Sequence, residues 1–130
     1  MRIFITSSTD GLGQLAAKQL VSEGHQVVLH VRNKARGQET LKKIPGAEAI
    51  VSADLSNIDE TKQLANDVNA LGSFDAVIHN AGVYRASGEV IVNVNMLAPY
   101  ILTSLITPHK RLIYLSSGLH SGGQGRLFWT

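Results

Sequence analysis

The chain has no cysteine among its 130 residues. It therefore carries no disulfide framework, no thiolate metal site and no cysteine nucleophile. It lacks an excess of either charge: 12 Lys and Arg stand against 10 Asp and Glu, a net +2. The basic residues are scattered and form no stripe of the kind that nucleic-acid binding requires. No apolar run approaches the roughly 18 residues of a membrane-spanning helix. The N-terminus, Met1-Arg2-Ile3-Phe4-Ile5, goes straight into a short apolar run and then into polar turn residues. It lacks the longer apolar segment and small-residue cleavage site of a secretory signal, so the expected location is cytoplasmic. His79, His109 and His120 are too dispersed to suggest a metal site, and none is expected.

What is present is globular. A hydrophobic fraction of 44% and a charged fraction of 17% describe a chain with a core. Its length suits one domain, residues 1–130, with no internal repeat and no linker. Short apolar runs alternate with helical periods. Strands are expected at Ile3 to Thr6, Val27 to Val31, Ala49 to Val51, Ala76 to Ile78 and Leu112 to Leu115. Between them, Leu12, Leu15, Ala16 and Leu20 recur at helical spacing up to Gly24. A short polar helix anchored by Leu41 is closed by Pro45-Gly46. Leu64, Val68 and Leu71 mark a further amphipathic helix, stopped at Gly72. Val90 to Ile106 reads as one buried helix, with Pro99 as a local kink. Ser116 to Gly125, with four glycines, reads as a mobile loop. Five strands, apolar on both sides and alternating with helices, require a parallel sheet covered on both faces. Crossover handedness makes this an α/β, doubly wound fold with strand order 3-2-1-4-5.

Directly after the first strand comes Thr6-Ser7-Ser8-Thr9-Asp10-Gly11-Leu12-Gly13. Gly11 can let the backbone approach a pyrophosphate, and Gly13 permits close helix–strand packing. The following helix offers free N–H groups and a positive dipole end. An ordinary strand–helix turn would explain two glycines and four hydroxyls equally well. Its place after the first strand of an α/β unit favours a nucleotide. The second strand ends Val31-Arg32, with no acid at the position where an NAD enzyme grips its ribose. Arg32 there can hold a 2′-phosphate, and Arg36 lies within reach of the same place. A solvated basic loop is the plainer alternative.

These motifs together resemble the short-chain dehydrogenase/reductase family, whose members share a Rossmann fold. The family's Thr-Gly-x-x-x-Gly-x-Gly turn maps onto Thr6 to Gly13, with Ser7 in place of the first glycine. A side chain there either crowds the pyrophosphate or adds a hydroxyl contact, and weakened cofactor binding is the expectation. Asp54-Leu55 matches the family's Asp-Leu, whose carboxylate meets the adenine amino group; the other reading is a helix N-cap, which Ser56 or Asn57 could also supply. Asn80-Ala81-Gly82 matches the Asn-Ala-Gly lining the adenosine side of the cleft, and Asn80 could also tie neighbouring strands together. The segment from Val31 to Gln38 resembles NADP-preferring carbonyl-reductase and retinol-dehydrogenase-like members.

The resemblance implies hydride transfer between a nicotinamide and a carbonyl or alcohol substrate, by a Tyr, Lys, Ser and Asn set. Asn95 matches the family's Asn, with Asn93 as its rival; an Asn buried in an apolar helix needs a partner. Ser117 matches the serine that positions the substrate oxygen, with Ser116 beside the cofactor; either could instead cap a loop. The Tyr-x-x-x-Lys pair is absent: Tyr84, Tyr100 and Tyr114 are followed four residues on by Gly88, Ser104 and Gly118. The chain thus reads as the cofactor half of an NADP-dependent, homo-oligomeric reductase, with NAD the lesser candidate. A non-catalytic NADP-binding module or sensor is the alternative. A receiver-like fold would want clustered acids after the first strand, where only Asp10 stands.

Overall fold

The computed structural model describes residues 1–8, 11–81, 87–106, 111–116 and 126–129. Its elements are β1 (Arg2–Ile5), α1 (Gly11–Ser22), β2 (Gln26–Val31), α2 (Lys34–Lys43), β3 (Ala49–Ser52), α3 (Ile58–Ala70) and β4 (Ala76–His79). They are followed by α4 (Gly88–Val92), a π-helical turn (Asn93–Leu97), α5 (Ala98–Leu105), β5 (Arg111–Ser116) and β6 (Arg126–Trp129). One sheet holds all six strands in the order β3-β2-β1-β4-β5-β6.

The first five strands are parallel. They form the doubly wound Rossmann sheet, in the order read from the pattern. The sixth is an addition: β6 pairs antiparallel with β5, Ser116 opposite Arg126 and Ile113 opposite Trp129. No strand is expected from the pattern at residues 126–129. The pairing with β5 identifies it. Residues 117–125, the expected mobile loop, lie outside the described residues.

Alternation along the strands sorts the core. Ile3 and Ile5 of β1, with Val27 and Leu29 of β2, face α1 and α2 beside Ala17 and Ile44. Phe4 and Val28 point the other way, into a second cluster with Leu64 and Val68 of α3, Val77, Val94 and Leu102. Period-two alternation with both faces apolar is what a sheet covered on both sides needs. Each fully buried Leu, Ile or Phe contributes roughly 1.5–3 kcal/mol.

Three helices depart from their apolar pattern. In α1 the sheet-facing residues are Gly13 and Ala17, whereas Leu12 and Leu15 are 69% and 63% exposed. Small residues on the inner side let α1 lie close to the strands, so the larger leucines point outward. In α2 the buried residues are Gly37 and Thr40, and Leu41 is largely exposed. The expected single helix over Val90 to Ile106 is three pieces. Ala98 N–H donates to the Asn93 carbonyl, five residues back, which widens the helix at that point. Pro99 lacks the N–H that would pair with the Asn95 carbonyl four residues back. The expected kink is therefore a π turn that precedes the proline.

At the opposite end of the sheet, Arg2 joins three strand entries. Its Nε and Nη2 donate to Glu48 at 3.0 and 2.7 Å, and its Nη1 to the Ser73 carbonyl at 3.1 Å. Its guanidinium lies 4.5 Å over the Phe74 ring. The hydrogen bond from Arg2 holds the Glu48 carboxyl below its ordinary pKa.

Candidate functional site

Parallel strands deliver the segments after Ile5, Val31, Ser52 and His79 to one edge of the sheet. The predicted cofactor residues meet there, where the strand order reverses between β1 and β4. Thr6 is buried and continues the sheet: its N–H donates to the Ile78 carbonyl at 3.0 Å. Its Oγ1 accepts from the N–H groups of Asn80 and Ala81, at 3.0 and 3.1 Å. Ser8 is fully buried, and its Oγ donates to the Ile5 carbonyl at 2.8 Å. These two hydroxyls, predicted as cofactor contacts, face inward and shape the turn. Thr9 lies outside the described residues.

Ser7 stands at the position matching the family's first glycine, and its φ is +57°. That left-handed conformation costs an L residue about 1–2 kcal/mol. Two bonds hold it. The Ser7 N–H donates to His30 Nδ1 at 2.9 Å, and the Ser7 carbonyl accepts from Asn80 Nδ2 at 3.1 Å. Asn80 thus ties the end of β4 to the turn after β1, as the structural reading of that residue required.

Gly11 and Gly13 differ in what they permit. Gly11 has φ +57° and open space where a Cβ would stand. Gly13 is buried with no such space: a Cβ would overlap the Ser7 carbonyl oxygen and approach Asn80 Nδ2 to 2.5 Å. The first turn of α1 carries no acid, so its unpaired N–H groups and positive dipole end are not neutralised there. Leu12 is exposed beside them. An open, glycine-lined helix N-terminus beside a rigid turn fits a dinucleotide pyrophosphate.

His30 was not singled out in the sequence. It is buried in β2, and its two ring nitrogens bridge two of the loops. Nε2 lies 2.8 Å from the Ala53 carbonyl, which can only accept; Nδ1 faces the Ser7 N–H, which can only donate. The ring is therefore neutral with its proton on Nε2. Burial, the largest influence, pulls its pKa below the ordinary histidine value, against the bond to Ala53 and the Asp54 charge.

Asp54 is half-buried and does not cap α3. Asn57 does so, accepting from the Glu60 N–H at 3.0 Å. Asp54 instead accepts from the Ser56 hydroxyl at 2.6 Å and the Ser56 N–H at 3.0 Å. The Ser56 hydroxyl bond is the chief cause of its lowered pKa, and the Arg32 charge acts in the same direction. Leu55 is buried beneath this loop. Arg32 is exposed just past the end of β2, and Val31 is buried.

The catalytic residues named from the sequence fare differently. Asn95 is exposed at the middle of the π turn, not buried as expected. The neighbour that turns inward is Asn93, whose Nδ2 donates to the Ser56 carbonyl at 2.8 Å and ties the π turn to the Asp54 loop. Ala81 is half-buried beside Thr6, while Gly82 and Ser117 lie outside the described residues. Among the described residues, no three His, Asp or Glu side chains converge to hold a metal ion.

Comparison with known proteins agrees with this geometry. The short chain dehydrogenase family model matches residues 1–119. An uncharacterised oxidoreductase of Emericella nidulans is 51% identical over 138 residues, covering 98% of this chain and 54% of that protein. Short-chain dehydrogenase chry4 of Gibberella zeae is 46% identical, covering 98% of this chain and 53% of its own length. The crystal structure of a metagenomic short-chain oxidoreductase in complex with NADP superposes with a TM-score of 0.78 at 28% identity. That match covers 90% of this chain and 62% of the other. The chain belongs to the short-chain dehydrogenase/reductase family. It spans about half the length of the curated relatives it matches.

Proposed function

We propose that this chain is the cofactor-binding half of an NADP-dependent oxidoreductase that transfers hydride between a nicotinamide and a small carbonyl or alcohol substrate. The observation that carries the reading is the assembly of Thr6 to Ser8, Gly11, Gly13, Asp54 and Asn80-Ala81 on one sheet edge, around the N-terminus of α1. NADPH, when bound, supplies the hydride. The chain's own residues would bind and orient: the α1 N-terminus would hold the pyrophosphate and Asp54 the adenine, and the family resemblance gives Asn95 and Ser117 roles on the substrate side. The preference for NADP over NAD rests on Arg32. It is exposed and directly follows the buried Val31, which stands where an acid would otherwise select the ribose hydroxyls.

A homo-oligomer belongs to the same proposal, since Val92, Met96 and Tyr100, spaced four apart, leave apolar surface exposed at 43%, 66% and 70%. A cytoplasmic setting is proposed with it. Among the described residues no helix is long and apolar enough to cross a membrane. The second reading, a non-catalytic NADP-binding module or sensor, needs no Tyr-x-x-x-Lys pair, and the 130 residues hold none. General acid–base catalysis is typically worth about 10²–10⁴-fold, so without a proton donor turnover should fall towards background. The test is NADPH oxidation with aldehydes, ketones and quinones, by the 130-residue chain and by a product extended past Thr130. Turnover by the extended product alone supports the enzyme. Turnover by neither supports the module. Robust turnover by the short chain would refute the assignment of roles.

A further inference from the structure

We propose that His30 is a positioning residue for the dinucleotide turn, and that its neutral, Nε2-protonated ring makes cofactor affinity depend on pH. The inference rests on the dinucleotide-binding reading of the site. It starts from the backbone. Ser7 occupies a left-handed conformation that glycine would adopt freely, and the His30 ring accepts the hydrogen bond from its N–H. The same ring donates to the Ala53 carbonyl, immediately before Asp54. One side chain thus braces the pyrophosphate turn on one side and the adenine loop on the other. Backbone bonds make the brace rigid. Ser8 N–H donates to the His30 carbonyl at 3.0 Å, and His30 N–H donates to Ser8 Oγ at 3.2 Å.

Protonation of Nδ1 would set two N–H donors against each other across 2.9 Å. The Ser7 N–H would lose its acceptor, and the turn would lose the bond that offsets its strained conformation. Among the described residues, the charge acting on the ring is the Asp54 carboxylate, which favours protonation, and Arg32 acts on that carboxylate in turn. Burial outweighs Asp54, so the ring stays neutral at pH 7. The sign follows. A histidine whose folded pKa is depressed binds more protons when the turn is released, so the braced turn is favoured above the ordinary histidine range and lost as pH falls below it.

The test compares wild type with His30→Asn. Asparagine Oδ1 overlays Nδ1 and can accept from Ser7 N–H, but it does not titrate. NADP⁺ affinity is measured by calorimetry from pH 8 to pH 5, with amide spectra confirming the fold. The 2′-phosphate of NADP titrates with a pKa near 6, so the two profiles are read as a ratio. Wild-type Kd should rise by up to about tenfold per pH unit below the ring's pKa relative to His30→Asn, for one linked proton. Parallel profiles would overturn the proposal. Ring ¹⁵N shifts of the unliganded wild type give an arm independent of binding and of the variant's folding. A bare Nδ1 at pH 7, with Ser7 amide protection lost as the ring protonates, supports the brace. A proton on Nδ1, or Ser7 protection indifferent to that titration, would overturn it. If the wild type bound no dinucleotide at any pH, the functional reading would fail, and the ¹⁵N arm would still decide the brace.

Discussion

Gly13→Ala is the sharpest perturbation of the site, because one methyl group meets backbone rather than a movable side chain. Its Cβ would overlap the Ser7 carbonyl oxygen and stand 2.5 Å from Asn80 Nδ2. Either α1 moves off the sheet or the Ser7 peptide turns away. Both routes stretch the Asn80–Ser7 bond, now 3.1 Å. Overpacking costs about 1–3 kcal/mol, and the weakened hydrogen bond about 1 kcal/mol more. Replacing glycine in a helix returns up to about 1 kcal/mol. The net loss is about 1–3 kcal/mol of stability. Dinucleotide affinity should fall at least about tenfold, since the displaced peptide belongs to the turn proposed to hold the phosphates and 1.4 kcal/mol is a factor of ten. Chemical denaturation and calorimetry with NADP⁺ measure the two quantities. Gly88→Ala is the control: its Cβ meets open space at an ordinary φ, so stability should hold or rise by about 0.4–1 kcal/mol. A Gly13→Ala protein as stable as wild type, with unchanged affinity, would refute the close packing described here.

Ser7→Gly should hold or improve both stability and dinucleotide affinity, because it relieves a left-handed serine while keeping the N–H that His30 accepts; a large loss of affinity in calorimetry would show that the hydroxyl is itself a phosphate ligand. Glu48→Gln should flatten the acid limb of stability against pH. The lowered Glu48 pKa contributes stability above the ordinary carboxylate range and loses it as pH falls through the folded value, so denaturation midpoints of wild type and variant should converge as pH drops below that range. Asn93→Ala should cost about 1 kcal/mol by removing the bond to the Ser56 carbonyl; denaturation measures it, and an unchanged midpoint would show that the π turn and the Asp54 loop are not coupled through it.

Most of the fold was legible because parallel strands announce themselves as short apolar runs. Ile3, Phe4 and Ile5 are buried on alternate faces, and no polar residue interrupts them. Helix faces were harder to read. The leucines of α1 have helical spacing, yet the sheet selects Gly13 and Ala17, because contact with strands rewards small size as much as hydrophobicity. Asn95 and Asn93 show the same limit. Pattern matching placed both in an apolar helix and took Asn95 as buried, and only the π turn decides which of them turns inward. The turn glycines were legible from chemistry, but the inward facing of Thr6 and Ser8 was not. Besides the nearby Ile5 carbonyl, their partners are backbone groups of β2 and of the segment after β4, far away in sequence. His30 carries one signal in the sequence, a titratable side chain between Leu29 and Val31 of an apolar strand. The strand Arg126–Trp129 had no periodic signal at all.

The central claim is that this chain forms a dinucleotide site that selects NADP through Arg32. The most direct measurement is calorimetric titration of the chain with NADP⁺ and with NAD⁺, repeated on Arg32→Ala. The account predicts tighter binding of NADP⁺ by the wild type. In Arg32→Ala that advantage should fall by about 1–3 kcal/mol, with NAD⁺ affinity little changed. Equal losses for both cofactors, or tighter binding of NAD⁺ by the wild type, would contradict it.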